Sequence, residues 1–243
     1  MPPDVAVLRI EQTGGMLPPW ETLRWYPSVA LYADGRLIMQ GAQDDIYPGR
    51  ALPNVVVTQL TERGVAQVLQ WAAEAGLAGE DRMLGEPMLD SGVTTFVVTT
   101  PTGTHTTSVT DMSAADPEVG ALRELIDVAS NPRIWLADDI ASEETPYVAG
   151  RLRFIAFPAE PDSLPDRTLV TVVDWPLDPI STLGTSYGEP AEYRCATVEG
   201  HDLATMLPLF QQANELTLWR SEDVTYQLYA HPLLPDDEPC PGF

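Results

Sequence analysis

The chain has 243 residues, 44% of them hydrophobic, which is enough to bury a core in one large domain or in two smaller lobes. Its formal net charge is -23, and all 13 basic residues are arginine. Such an acidic surface repels phosphate backbones and anionic membranes, which argues against nucleic acid and lipid headgroups as partners. The sequence also lacks an apolar run of about 18 residues, so no transmembrane helix is predicted.

The first half of the chain predicts alternating hairpins and helices. Two apolar runs flank Asp34-Gly35, a pair that tolerates the positive φ of a tight turn, so Ser28–Gln40 predicts a β-hairpin. Apolar residues then recur at helical spacing from Thr61 to Gly76, which predicts a helix. The other predicted elements of this half are strands at Val5–Ile10 and Val55–Thr58, a hairpin over Val93–Thr110 and a helix from Asp116 to about Asn131.

The second half is richer in turn-forming residues. The acidic segment Asp138–Pro146 predicts a loop, and Ala159–Asp166, with two prolines and several acids, predicts a linker. Most connections between strands are too short for parallel crossovers, which favours antiparallel pairing. The predicted elements are strands at Arg151–Phe157, Thr168–Val173, Glu192–Val198 and Val224–Tyr229, and a helix over Gly200–Ala213.

These elements predict an α+β protein with mainly antiparallel sheet and about three packed helices. A strand–helix–strand order occurs twice, with Thr61–Leu69 aligned over Glu199–Leu207. The identity between these segments is weak, which favours two ordinary αβ units over two copies of one αβ lobe. We expect an N-terminal lobe over residues 1–158 and a C-terminal lobe over residues 167–243, or one continuous domain.

The chain has two cysteines, Cys195 and Cys240, which bracket the last strand–helix–strand unit. A lone pair in this position favours a disulfide bond, and a disulfide bond implies an oxidising compartment. A metal pair or a reactive thiol is the alternative, but neither cysteine has a CxxC partner or paired histidines nearby. The first residues lack the basic and apolar regions of a signal peptide, which leaves a cytosolic protein or the mature form of an exported one.

Four segments together resemble known proteins: Ile10–Gly15, Leu31–Arg36, Tyr47–Pro53 and Leu233–Cys240. Their order resembles a group of uncharacterised secreted proteins and lipoproteins from actinobacteria and other GC-rich bacteria, which typically carry an export signal and a cysteine pair. The resemblance implies export and a disulfide bond. It implies no activity and no catalytic residue, and no leader for lipid attachment is present in this sequence.

Catalytic motifs offer little support for an enzyme. His201 precedes Asp202 at a predicted helix start and could act as the general base of a hydrolase. Adjacent helical residues point in different directions, however, and Asp202 suits a first-turn acid that complements the helix dipole. The sequence has no Gly-x-Ser-x-Gly elbow, phosphate loop, dinucleotide fingerprint or HExxH motif. We therefore expect no catalytic residue and no cofactor, with a hydrolase built around His201 as the alternative.

Two further groups of residues suggest binding. Aromatic residues in Pro-rich segments would suit recognition of a partner if they are exposed, or would otherwise fill the edge of the core. Acidic pairs would offer oxygen ligands to calcium, although none matches the spaced EF-hand pattern. The aromatic residues are Trp20, Trp25, Tyr26 and Tyr47, and the weak calcium candidates are Asp44, Asp45, Asp138 and Asp139.

The sequence therefore predicts an exported, acidic, non-enzymatic protein of the cell envelope or extracellular space that binds a protein, peptide or glycan. A membrane is expected as a partner only through a lipid anchor that is absent from this sequence. The alternatives are the hydrolase around His201 and a structural subunit of an envelope complex, which a large apolar surface patch would favour.

Overall fold

The computed structural model describes residues 1–15, 25–86, 91–186 and 193–240, and it shows an α+β protein. The chain divides into two compact units. Unit 1 comprises Met1–Gly41 and Val55–Tyr147, and unit 2 comprises Ala42–Asn54 and Val148–Phe243. Within the described ranges, no helix has the length and apolar character needed to cross a bilayer.

Unit 1 is built on a sheet in which eight strands are described, in the order β5-β7-β6-β1-β2-β3-β4-β8. Neighbouring strands are antiparallel except β5 and β7, which are parallel. The strands are β1 (Ala6–Gly14), β2 (Val29–Tyr32), β3 (Arg36–Gln40), β4 (Val55–Leu60), β5 (Arg82–Leu84), β6 (Gly92–Thr100), β7 (Gly103–Val109) and β8 (Ile140–Pro146).

Local sequence explains the hairpin and both long helices of unit 1. Gly35 adopts a φ of +90° between β2 and β3, so the Asp-Gly turn is confirmed. Helix α1 (Glu62–Glu74) begins where the Thr61 hydroxyl accepts a hydrogen bond from the Gly64 amide at 3.1 Å. Helix α2 (Pro117–Ser130) begins with proline in its first turn. A short helix, α3 (Pro132–Trp135), follows it.

The core of unit 1 lies between the sheet and the helices. Val68 and Ala72 of α1 and Leu122 and Leu125 of α2 are buried in one cluster with strand residues such as Phe96. Their spacing of three and four residues places them on one face of each helix. The apolar residues that recur at helical spacing in the sequence are therefore the ones that the helices bury.

Unit 2 is built on a second sheet in which six strands are described, in the order β10-β13-β14-β9-β12-β11. The β10–β13 pair is parallel and the other pairs are antiparallel. The strands are β9 (Arg151–Pro158), β10 (Thr171–Asp174), β11 (Thr185–Ser186), β12 (Arg194–Glu199), β13 (Thr217–Ser221) and β14 (Val224–Pro232). Helix α4 (Gly200–Gln212) follows β12 directly.

Aromatic rings form the centre of the unit 2 core. Trp175 contacts Phe154 and Trp219 edge-on, with ring centroids 5.2 Å and 5.9 Å apart. Phe210 of α4 completes the cluster 4.9 Å from Trp219. Such edge contacts stabilise a core beyond the area they bury, by about 0.5–1.5 kcal/mol per pair.

The structure divides the chain differently from the expected lobes. Strand β9, which we placed in the N-terminal lobe, is a central strand of unit 2, because β12 and β14 pair with its two edges. The segment Ala42–Asn54 also belongs to unit 2. There the Ala51 amide donates to the Ala213 carbonyl, and the Glu215 amide donates to the Gly49 carbonyl. These pairings join residues more than 160 positions apart, and local sequence does not encode them.

The segment Asp138–Pro146 was wrongly predicted as a loop. Residues 140–146 form β8, which pairs with β4. Its polar sequence Ile-Ala-Ser-Glu-Glu-Thr-Pro lacks apolar alternation because β8 lies at the edge of the sheet with most of its side chains exposed. A strand with no buried face has no periodicity to detect.

Candidate functional site

A surface groove of about 370 Å³ runs beside β8 in unit 1. On one side it is bordered by α3 and the turn that follows it, and on the other by the strand itself. Its lining residues are Arg133, Ala137, Ile140, Ala141, Ser142, Glu143 and Glu144. The groove therefore combines a helix end, a strand edge and two carboxylates.

The backbone of β8 is paired on one side. The Tyr147 amide donates to the Val55 carbonyl at 2.8 Å, and Thr145 lies opposite Val57. Because the carbonyl of one residue points opposite to the amide of the next along a strand, the carbonyls of Glu144 and Pro146 point away from β4. The pairing register with β4 shifts between Thr145 and Ser142, at Glu143 and Glu144. Among the described residues, no strand pairs with β8 on this outer side. We call this side of Ile140–Pro146 the β8 edge.

The start of β8 is held in place by Asp139. Its carbonyl accepts a hydrogen bond from the Thr61 amide at 2.8 Å, and its carboxylate accepts bonds from the Arg63 Nε at 2.6 Å and the Thr61 hydroxyl at 2.9 Å. The Arg63 hydrogen bond is the main reason that the pKa of Asp139 lies below its ordinary value. Asp139 thus ties the start of the groove to the first turn of α1.

Helix α3 presents large apolar side chains to solvent next to the groove. Ile134 is 71% exposed and Trp135 is 51% exposed, whereas the following Leu136 is buried. The proline at the start of α3 and the buried Leu136 hold this short helix against the core while its middle faces outwards. Arg133 reaches Glu144 at 3.9 Å, an exposed and weak ion pair.

The chemistry of the groove suits binding better than catalysis. Ser142 is the hydroxyl in the lining, and no histidine is among the lining residues. Glu143 and Glu144 are exposed, so water screens them, and the groove has no buried acid–base pair. Exposed carboxylates beside unpaired backbone groups can attract a cationic, hydrogen-bonding ligand.

Two of the predicted aromatic residues are exposed. Trp25, in unit 1, is 40% exposed, and Tyr47, in unit 2, is 60% exposed. Tyr26 is buried, with 9% of its surface exposed, so the prediction of an exposed recognition residue at this position is wrong. Trp20 lies outside the described residues. Sequence reasoning missed Ile134 and Trp135, although a proline-started turn of helix with two large apolar residues was visible after Asn131.

The predicted calcium ligands are dispersed. Asp44 pairs with Arg50 at 2.6 Å, and Asp139 is engaged by Arg63 and Thr61. Across the part of the chain that the structure describes, no three acidic, histidine or cysteine side chains come together as a metal site.

The hydrolase candidate His201 lies in the first turn of α4, where its side chain is exposed. Its backbone carbonyl accepts a hydrogen bond from the Thr205 hydroxyl at 3.1 Å. Within the described residues, the His201 imidazole makes no hydrogen bond or ion pair. The arrangement supplies neither an orienting carboxylate nor a nucleophile for general-base chemistry.

The predicted disulfide bond is present. Cys195, fully buried on β12, is joined to Cys240 with an S–S distance of 2.11 Å and a Cα–Cα distance of 6.0 Å. It joins the segment from Leu233 to Cys240, which we call the C-terminal tail, to β12, and the buried Leu233 also donates its amide to the Arg151 carbonyl of β9.

Two arginines of β9 also bind the C-terminal tail. Arg151 Nη2 donates to the carbonyl oxygens of Leu234, Pro235 and Asp237 at 3.1–3.5 Å, and Arg153 Nη1 donates to that of Glu238 at 3.2 Å. The buried His231 lies opposite Arg153 and 3.7 Å from the Asp237 carboxylate. The sequence analysis did not identify this pair of tail-binding arginines, Arg151 and Arg153, which we call the arginine clamp.

The chain matches no protein-family model, and comparisons with curated proteins and with solved structures also find no match.

Proposed function

We propose that the protein is an exported, non-enzymatic protein of the cell envelope or extracellular space that binds a protein or peptide through the groove at the β8 edge. The observation that carries the proposal is this groove, which combines an open strand edge with two carboxylates and is bordered by a helix that exposes two large apolar residues. Peptide-binding surfaces combine these features, because backbone pairing supplies affinity and side-chain contacts supply specificity.

The disulfide bond supports the exported location. Stable disulfide bonds persist in oxidising compartments and are rare in the cytosol. The resemblance to secreted proteins and lipoproteins that carry an export signal and a cysteine pair also supports an exported location. Fractionation of the native host with alkylation of free thiols tests it. Export predicts unalkylated, disulfide-bonded protein outside the cytosol, and a reduced cytosolic pool would contradict it.

Site-specific photocrosslinking tests the binding function. A crosslinking amino acid at Ser142 in the groove should capture a partner from the envelope fraction of the native host. Thr104 on β7 is a matched control, since it is also an exposed strand residue of unit 1. The captured partner, once purified, should bind the wild-type protein directly. Equal capture from both positions, or no binding to any protein or peptide together with turnover of a substrate, would refute the proposal.

A further inference from the structure

We propose that the β8 edge binds an extended, basic peptide segment of a partner protein, which adds to the unit 1 sheet as a further strand. The inference rests on the proposed binding function and names the chemistry of its partner. It follows from the direction of the backbone groups, from the charge of the edge and from the apolar residues beside it.

The backbone geometry selects an extended ligand. The outward carbonyls of Glu144 and Pro146 can accept hydrogen bonds from the amides of a neighbouring strand. A helical ligand satisfies its own backbone groups and would leave those of the edge unused. An extended peptide has unpaired backbone groups of its own, and these can pair with the backbone groups of the β8 edge. This pairing is the physical basis of strand addition.

The charge of the edge selects a basic ligand. Glu143 and Glu144 are both exposed and lie where the register with β4 shifts, so an added strand would meet two adjacent carboxylates. Arg133, the cation of the lining, reaches only Glu144, at 3.9 Å. Opposite charges on paired strands stabilise the pair, and like charges destabilise it.

The same charges disfavour a second copy of this chain as the occupant. Pairing two β8 edges would bring the carboxylates of both copies together, and each copy carries a net charge of -23. Acidic residues therefore protect the edge against self-association, as charged residues commonly do on edge strands. Such protection does not act against a strand that carries lysine or arginine.

The apolar residues of α3 can receive side chains of the same ligand. Ile134 and Trp135 are exposed in the helix that supplies Arg133 to the groove. A strand with alternating basic and apolar residues would present its basic side chains to Glu143 and Glu144. Its apolar residues and arginine stems could contact Trp135, whose ring face also attracts cations.

Titration with synthetic peptides tests the inference. The probe alternates arginine and valine over the length of β8, which is 7 residues. A control peptide of the same length alternates glutamate and valine. The arginine peptide should bind, more weakly as salt rises, and should shift the amide resonance of Glu144; the glutamate peptide should not bind. Equal binding of both peptides would overturn the inference.

Variants of the protein test the role of the carboxylates. The double substitution E143Q/E144Q should weaken binding of the arginine peptide about tenfold, or about 1.4 kcal/mol. E222Q/D223N is the matched control, because it removes the same two charges from the exposed turn between β13 and β14. If both variants weaken binding equally, the peptide responds to net charge and the edge is not its site.

Backbone methylation of the peptide tests strand addition. N-methyl groups on one set of alternate residues should abolish binding, and methyl groups on the other set should leave it largely intact, since only one set faces β8. Equal effects of both sets would exclude strand pairing. If crosslinking at Ser142 identifies a partner but the arginine peptide does not bind, the inference fails while the proposed function stands. If neither experiment detects binding, both fail.

Discussion

Removal of the Cys195–Cys240 disulfide bond should destabilise unit 2 strongly and leave unit 1 unchanged. The double variant C195A/C240S suits the test, because a small apolar residue replaces the fully buried Cys195 and a polar one replaces the partly exposed Cys240. The contacts of the arginine clamp with the C-terminal tail remain available in this variant. The main effect is therefore on the unfolded chain, which regains the freedom that the crosslink removes.

The structure sets the size of this effect. The bond joins residues 45 positions apart, and the loop-entropy relation for a loop of this length gives about 4 kcal/mol at 25 °C. For a unit of about 100 residues, the free energy of unfolding falls by roughly 2 kcal/mol for each molar increase in urea. The urea midpoint of unit 2 should therefore fall by about 2 M.

Hydrogen exchange in increasing urea distinguishes the two units. Amides of β9, β12 and β14 report unit 2, and amides of α1 and α2 report unit 1 as an internal control. Wild-type protein treated with reductant should match the variant, and reductant should not affect the variant. An unchanged midpoint for unit 2, or alkylation of both cysteines in native unreduced protein, would refute the reasoning.

Three further changes test other contacts. Asp139→Asn should destabilise unit 1 at neutral pH, because Arg63 lowers the pKa of the folded Asp139 below its unfolded value. That stabilisation is complete above the unfolded pKa and is lost as pH falls through the folded pKa, so urea unfolding of variant and wild type should converge in acid. Gly35→Ala should cost at least about 1 kcal/mol by urea unfolding, because φ is +90° and the new Cβ would lie 2.5 Å from the Leu60 carbonyl oxygen. Arg151→Gln should cost about 2 kcal/mol and speed hydrogen exchange in the C-terminal tail.

Each of these changes has a matched control. Gly15→Ala has a similar φ of +96°, and no atom of the described residues lies within 4 Å of the new Cβ, so it tests backbone strain without the clash. Arg167→Gln removes an arginine whose side chain is 70% exposed, and it should leave tail exchange unaltered. For Asp139, Asp162→Asn removes an exposed acid of unit 2 and should not change unfolding of unit 1. A pH-independent effect of Asp139→Asn, or equal effects of a substitution and its control, would contradict the assigned contact.

Elements with a buried face were predictable. The hairpin around Asp34-Gly35 and the helices α1, α2 and α4 agree with the predictions because burial imposes a period on their sequences. Strands β5, β11 and β13 were missed, since they are short or join a turn directly. The groove was missed for a related reason: β8 is exposed along most of its length, and its acidic sequence is typical of a loop.

The sequence by itself determined the α+β class, the acidic surface and the presence of one cysteine pair near the ends of a strand–helix–strand unit. These properties depend on composition and on contacts between residues close in the chain. Only the tertiary structure decided that β9 is central to unit 2, that two arginines hold the C-terminal tail, and that β8 forms an open edge beside α3. Such features arise where distant segments pair, and the partners of a strand are chosen by the whole sheet rather than by its own residues.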